Sequence, residues 1–403
     1  MRALMHKIIL FLVLMTIFQK AESLEDAPTK QIICLNMIVK NERTTIKRCL
    51  QSVLPLIDYW VIVDTGSTDG TQEIIKEFMK EIPGHLYERP WINFGYNRNE
   101  ALALAKNKAD YILFMDADDT LSLKGDFKKP ILTHDFYSTV VIQKNILPTL
   151  LPRLVKSNSS WKWYGTVFER LLTEKPSEGC ILNNVTYICG QDGVRFNDSN
   201  TNLNDITLLK EAIKEDPKNP RNFFFLGKVY MAIGNLAEAL AVFNKRIEML
   251  GNEEEIYLSK LSIAQIQGLL KKDTKEITTS FFKAHLERPH RAESLYYLIE
   301  KLQENGEYEK GFQIAAYGLK TVKNSNGELY VDKFISEFGI LMQYTICACK
   351  TGRYLESLHG CKQLLLLPDL SETFKARFNE YFQYIESKYL EKTQEEIENL
   401  LIK

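Results

Sequence analysis

The chain lacks any dominant charge: 51 Lys and Arg stand against 52 Asp and Glu in 403 residues, a formal net charge of −1. That removes the global basic field expected of a nucleic-acid binder and the acidic excess of a disordered tail. Long apolar runs are missing too, except Ile8 to Phe18, which is shorter than the roughly 20 residues a membrane-spanning helix needs. The seven cysteines (34, 49, 180, 189, 347, 349 and 361) are odd in number and scattered. They exclude a disulfide framework and lack zinc spacing, so they read as buried thiols, with Cys180 and Cys189 as one pair that could bridge across a hairpin. The six histidines show no metal-ligand spacing, and no Ser-His-Asp or Cys-His nucleophile pattern is present. The first strand-like run after the Ile8 to Phe18 stretch, from Gln31, leads into "NMIVKNERT", which has no glycine; the Gly-rich, Lys-bearing loop that a nucleotidyltransferase needs for a triphosphate is absent there.

What is present is an average folded composition, 45% apolar and 26% charged, in a chain too long for one core. Two or three domains are expected. Arg2, His6 and Lys7 precede the apolar run, and "QKAES" places small residues at Ala21 and Ser23. This layout predicts a signal peptide over residues 1–23, a short linker over 24–30, and export or entry into the secretory pathway, lumenal or periplasmic.

From Gln31 the grammar alternates. The strand-like runs "QIICLNMIV", "YWVIVDTG", "HLYERPW" and "YILFMD" are separated by segments with helical spacing, such as Ile46, Cys49, Leu50, Val53 and Leu54. Continuous apolar strands joined through helices predict an α/β fold with a mainly parallel sheet covered on both faces, whose ligands bind off the carboxyl ends of the strands. From about Asn204 onward only helix pairs are expected. Phe223, Leu226, Gly227, Tyr230, Ala239 and Phe243 fall at tetratricopeptide spacing, and turn glycines recur at Gly234, Gly306 and Gly352. Residues 204–403 therefore read as an all-α helical-repeat domain, with the stretch from Ser371 as its cap.

Polar residues gather at the predicted strand ends. "DADD" puts Asp116, Asp118 and Asp119 after the fourth strand, and carboxylates two apart can converge on a hard cation, Mg2+ or Mn2+, that bridges to phosphate. The alternative is that they cap the next turn. "VDTGSTDGT" ends the second strand with Asp64 before a tight turn rich in helix-capping residues, where a nucleotide base or ribose can approach the backbone. Trp161, Trp163 and Tyr164 alternate either as an aromatic platform for a sugar or as one face of a packed strand.

The segments "ICLNMIVKNE", "VDTGSTDGT", "NFGYNRNEAL" and "ILFMDADD", in this order, resemble the successive motifs of family 2 glycosyltransferases of the GT-A fold. The sub-group with tetratricopeptide-like repeats behind the catalytic domain is the most similar, and the likeness runs from Gln31 to about Met249. The resemblance implies a GT-A domain over 31–199 and a nucleotide diphosphate sugar donor, UDP-linked. In it Asp64 contacts uracil or ribose, Asp116 and Asp118 hold Mn2+ or Mg2+ on the diphosphate, and Arg98 contacts diphosphate oxygens. Asn41 and Glu42 match the Asn-Glu after the first strand, where Glu42 orients the base or caps the next helix. Glu169 matches the family's base in an inverting transfer, although Phe168 stands where relatives often have His. Asp119 in that role, or Glu169 in an ion pair with Arg170 or Arg153, are the alternatives. Asp192 and Arg195 match the late donor-covering loop. The acceptor is a protein or a glycan, with a peptide or protein partner in the helical groove and no nucleic acid. A non-enzymatic adaptor, with a degenerate catalytic domain and working repeats, is the competing reading.

Overall fold

The computed structural model describes residues 30–323, 329–368 and 370–402. The expected signal peptide, and the linker up to residue 29, lie outside them. The first strands form where the apolar runs fall: β1 (Ile33–Val39), β2 (Tyr59–Asp64), β3 (Gly84–Glu88) and β4 (Tyr111–Phe114). They lie side by side in the order β3-β2-β1-β4, all parallel. Alternate β1 residues serve opposite faces. Ile33, Leu35 and Met37 pack with Ile46, Cys49, Leu50 and Val53 of α1 (Ile46–Val53) and Ile75 of α2 (Thr71–Phe78). Cys34 packs on the other face with Leu102 and Ala105 of α3 (Phe94–Ala105). Each such side chain contributes about 1.5–3 kcal/mol over an exposed one.

Beyond β4 the sheet becomes mixed. β5 (Thr120–Leu123), β6 (Phe136–Ile142), β7 (Thr149–Lys156) and β10 (Gly179–Ile188) extend it as β4-β7-β6-β10-β5. β7 runs antiparallel to both β4 and β6, β5 antiparallel to β10, and β6 parallel to β10. The Trp-rich stretch forms a separate hairpin, β8 (Trp161–Tyr164) with β9 (Arg170–Thr173). Trp161 and Trp163 are buried edge-on against Phe136 and Phe114, so they are core and not a sugar platform. Tyr164 donates to Glu174. The suggested Cys180–Cys189 bridge is excluded. Both lie along one extended stretch, Cys180 within β10 and Cys189 just past its end, about 30 Å apart at strand rise, and both are free thiols.

The second half is helical: α4 (Val194–Asn197), α5 (Thr201–Glu215), α6 (Pro220–Ala232), α7 (Leu236–Ile247), α8 (Glu253–Leu269), α9 (Thr274–Glu287), α10 (Glu293–Glu304), α11 (Tyr308–Thr321), α12 (Ile340–Lys350), α13 (Tyr354–Leu365) and α14 (Glu372–Ile402). From α6 they stack as antiparallel pairs. The turn glycines 234, 306 and 352 have φ of 76°, 77° and 75°, a left-handed backbone in which other residues are strained. No helix among the described residues is long and apolar enough to cross a membrane.

Among the described residues, two sets of contacts tie the repeats to the first half. Val167 belongs to the apolar core of the repeats, and Phe94 and Phe168 pack against it. At the β6–β7 hairpin tip, Ile146 bridges to Asp332, Leu147 N–H donates to the Val331 carbonyl (2.9 Å), and Lys333 N–H donates to the Asn145 carbonyl (3.1 Å).

Candidate active site

The residues singled out in the sequence meet at the carboxyl ends of β1, β2 and β4. Asp64 is the last residue of β2 and is fully buried. Its Oδ1 accepts from Gly66 N–H (2.9 Å), Ser67 N–H (2.8 Å) and Gln72 Nε2 (3.1 Å), while its buried Oδ2 has no hydrogen-bond partner. An unpartnered carboxylate oxygen in the interior is costly unless a ligand supplies a donor. A cleft of about 270 Å³, lined by Asp64, Gly66, Glu88, Arg89 and Pro90, opens beside it. A cleft of about 350 Å³ lies at the opposite ends of the strands, where the carboxylate of Asp110 already accepts from Ile32 N–H.

Asn41 and Glu42 take parts in the scaffold. Asn41 (φ 57°) receives Thr68 N–H on Oδ1 and donates its own N–H to Ser67 Oγ, both at 2.8 Å, which ties the loop after β1 to the loop after β2. The Glu42 carbonyl accepts the first N–H groups of α1, and its carboxylate accepts from Thr45 Oγ1 at 2.7 Å. Burial, with the Asp118 charge adding to it, raises its pKa despite the Thr45 bond. Neither side chain is placed beside Asp64 Oδ2 by any hydrogen bond in the structure.

Arg98, on α3, joins two of the predicted carboxylates. Its Nη2 donates to Asp116 Oδ1 and its Nε to Glu169 Oε1, and its guanidinium lies 5.0 Å over the Trp163 ring. Only 12% of its side chain is exposed. Burial works against that charge, yet Asp116 and Glu169 outweigh it and raise the Arg98 pKa. Burial likewise opposes the charge of Asp116, and the nearby Arg98 and Arg153 still hold its pKa low. Glu169 thus pairs with Arg98, not with Arg153 or Arg170. Arg153 instead lies 4.0 Å over the Tyr187 ring.

Chain geometry explains how a residue so distant in sequence arrives there. The 165–169 turn between β8 and β9 rests on the start of α3, where Phe94 N–H donates to the Thr166 carbonyl (3.0 Å). A Cβ on Gly95 would stand 2.1 Å from the Gly165 carbonyl oxygen, so only glycine allows that approach. Asn99 of α3 also exchanges hydrogen bonds with the Trp163 backbone at 2.8 and 2.9 Å.

The three aspartates of "DADD" have separate fates. Asp119 is buried and accepts from Tyr187 Oη and, at 2.7 Å, from Gly190 N–H. Burial and then the Asp116 charge push its pKa up to about 7. Asp118 lies under the loop that follows β10, where a Cβ on Gly193 would sit 2.8 Å from Asp118 Oδ2. Its pKa is raised by burial and by Asp116. That loop is latched by residues that no motif joins. Arg48 of α1 forms a bidentate pair with Asp192 (2.7 and 2.8 Å) and donates to the Asp118 carbonyl (2.8 Å). Arg195 is engaged by both oxygens of Asp205 (2.9 and 2.7 Å) and lies over the Phe94 ring. Arg48 stands on the polar side of an amphipathic helix, and no local pattern marks it.

The donor set fits a cation that arrives with a ligand. Asp116 and Asp118 are partly exposed, while Asp119 is committed to Tyr187 and Gly190. No group of three or more metal-ligating side chains is assembled among the described residues. Two carboxylates, completed by phosphate oxygens and water, are a common setting for Mg2+.

This geometry has a counterpart in known sequences. Residues 34–166 match the model of Glycosyl transferase family 2, and residues 206–261 match a tetratricopeptide repeat model. Over these residues the chain is similar to family 2 glycosyltransferases, on a mostly parallel sheet of GT-A-like form, and then to tetratricopeptide repeats. Among curated proteins, it is 29% identical over 234 residues to the SPbeta prophage-derived glycosyltransferase SunS of Bacillus subtilis (strain 168). That match covers 55% of this chain and 54% of SunS, so the chain spans about half the length of this relative. It is 34% identical over 86 residues to an uncharacterized glycosyltransferase of Rickettsia felis, covering 21% of this chain and 28% of that one. Among solved structures, a tetratricopeptide repeat protein from Parabacteroides merdae aligns with 51% of this chain and 75% of its own, at 18% identity and a TM-score of 0.36.

Proposed function

We propose that the protein transfers a sugar, with inversion, from a nucleotide diphosphate donor, UDP-linked, to a hydroxyl of a protein or glycan acceptor. The observation that carries this reading is the shared strand edge, where Asp64 Oδ2 waits without a donor and Asp116 and Asp118 lie nearby in the same loop cluster. Asp64 would accept from base or ribose, and Asp116 and Asp118 would hold Mg2+ or Mn2+. Bound there, the cation would offset charge on the departing diphosphate. Arg98 already neutralises Asp116 and steadies Glu169, and a guanidinium suits diphosphate oxygens.

Glu169 keeps Oε2 unbonded among the described residues while Oε1 is held by Arg98. In the proposed step the acceptor oxygen forms its bond to the anomeric carbon, the bond from that carbon to the diphosphate breaks, and the hydroxyl proton passes to Glu169. The repeats supply the acceptor side, and the N-terminal segment directs the protein out of the cytosol.

Calorimetry of UDP binding, with and without Mn2+, on the wild type and on Asp116→Asn/Asp118→Asn tests this. Metal-dependent binding that the double substitution abolishes is expected. If neither UDP nor GDP binds under either condition, the catalytic reading is wrong and the repeats act as an adaptor.

A further inference from the structure

Resting on that reading of Glu169, we infer that the first repeat helix is part of the catalytic apparatus: Arg221 and Phe225 of α6 are positioning residues for Glu169. The segment that carries Glu169 is held from both sides. On one side is α3, through Thr166 and Gly165. On the other, the Phe168 ring stacks on Phe225 at 4.3 Å with planes 10° apart, and Arg221 Nη2 donates to the Phe168 carbonyl at 2.9 Å. The guanidinium of Arg221 lies 4.5 Å over the same Phe225 ring.

Phe168 has φ of 54°, in the left-handed region that a bulky residue enters only when its surroundings enforce it. The stacking and the Arg221 bond act directly on Phe168 itself. They act one residue before Glu169, so releasing them lets the backbone relax and swings the carboxylate away from Arg98.

Arg221 is itself fixed. Its Nη1 donates to Glu255 Oε1 at 2.8 Å, and Glu255, with 2% of its side chain exposed, also pairs with fully buried Arg246 at 3.2 Å. The catalytic turn is therefore anchored on the ion pairs that tie α6, α7 and α8 together. Charge beside the turn does not help, because Arg170, at the start of β9, lies close enough to Arg221 to oppose its protonation, after burial itself.

The test uses Phe225→Leu, which keeps apolar volume but not the ring, and Arg221→Gln, which leaves Glu255 its bond to Arg246. Each is measured alone and combined with Glu169→Gln. Release of nucleoside diphosphate from UDP-glucose, UDP-galactose, UDP-N-acetylglucosamine and GDP-mannose is followed in the full chain, alongside amide hydrogen exchange over residues 164–170.

Expected are a ten-fold or greater fall in kcat with donor KM within two-fold, and at least ten-fold faster exchange in the turn. In the Glu169→Gln background either substitution costs no more than two-fold, because both act through that carboxylate. A purely structural role would instead give additive losses. If exchange in the turn is unchanged, or if the losses add, the positioning role is overturned while the proposed function stands. If Glu169→Gln itself keeps turnover within a few-fold, the reading of Glu169 fails, and exchange alone then decides whether α6 holds the turn.

Discussion

Arg98 and a divalent cation compete for the same negative charge, which yields a prediction with two opposite signs. Replacing Arg98 by Met removes the partner of both Asp116 and Glu169, side chains that are 37% and 10% exposed. Breaking a buried pair from one side costs about 3 kcal/mol, so the melting temperature falls by about 10 °C for a domain of this size. Two unit charges about 4 Å apart interact by roughly 4 kcal/mol at an effective dielectric of 20. Solvent at the partly exposed Asp116 reduces this to about 1.5 kcal/mol, or about ten-fold in Kd. Mn2+ alone should therefore bind the destabilised variant about ten-fold more tightly than wild type, while UDP in the presence of Mn2+ binds more weakly for want of the guanidinium. Calorimetric titration of Mn2+, then of UDP, separates the two. Mn2+ affinity that is unchanged or weaker in Arg98→Met would refute the idea that Arg98 occupies the place of a cation.

Asp64→Asn keeps an oxygen for the Gly66 and Ser67 N–H groups but turns Oδ2 into a donor. UDP affinity should fall at least ten-fold with melting within about 3 °C of wild type, and equal affinity would remove Asp64 from the donor site. Asp119 has a folded pKa of about 7, above its ordinary value; its neutral form favours the fold, and that stability is lost as pH rises from about 4 to about 7. Asp119→Asn mimics the neutral form, so it should melt about 5 °C higher than wild type at pH 8, from on the order of 2 kcal/mol, and close to wild type at pH 5. A gain that is the same at both pH values would show that the charge of Asp119 is not what burial penalises.

Much of the fold was legible because the local signals are periodic. The β1 run is apolar on both faces because both faces are covered, and the helix turns after α6, α10 and α12 are announced by glycines that need positive φ. The mixed half of the sheet was not legible. β6 and β7 pair with each other as a hairpin, but β7 also pairs with β4 and β6 with β10, and no local pattern in either strand names those outer partners. "DADD" revealed that something gathers charge, but not that Asp119 would be taken by Tyr187, a contact 68 residues away. Glu169 was found by resemblance alone. Its pairing with Arg98 depends on Gly95 and Gly165, which carry no chemistry of their own.

The backbone bonds between the β6–β7 hairpin tip and residues 331–333 bear on how the chain can be taken apart. They fasten the middle of the helical array to the end of two interior strands of the sheet, while α6 fastens its beginning to the Glu169 turn. A beam pinned at two points does not pivot as one hung from a flexible joint does. Cutting after α5 would therefore not release a self-sufficient domain. It would strip away one support of the Glu169 turn, and a chimera carrying foreign repeats would have to retain both attachment points.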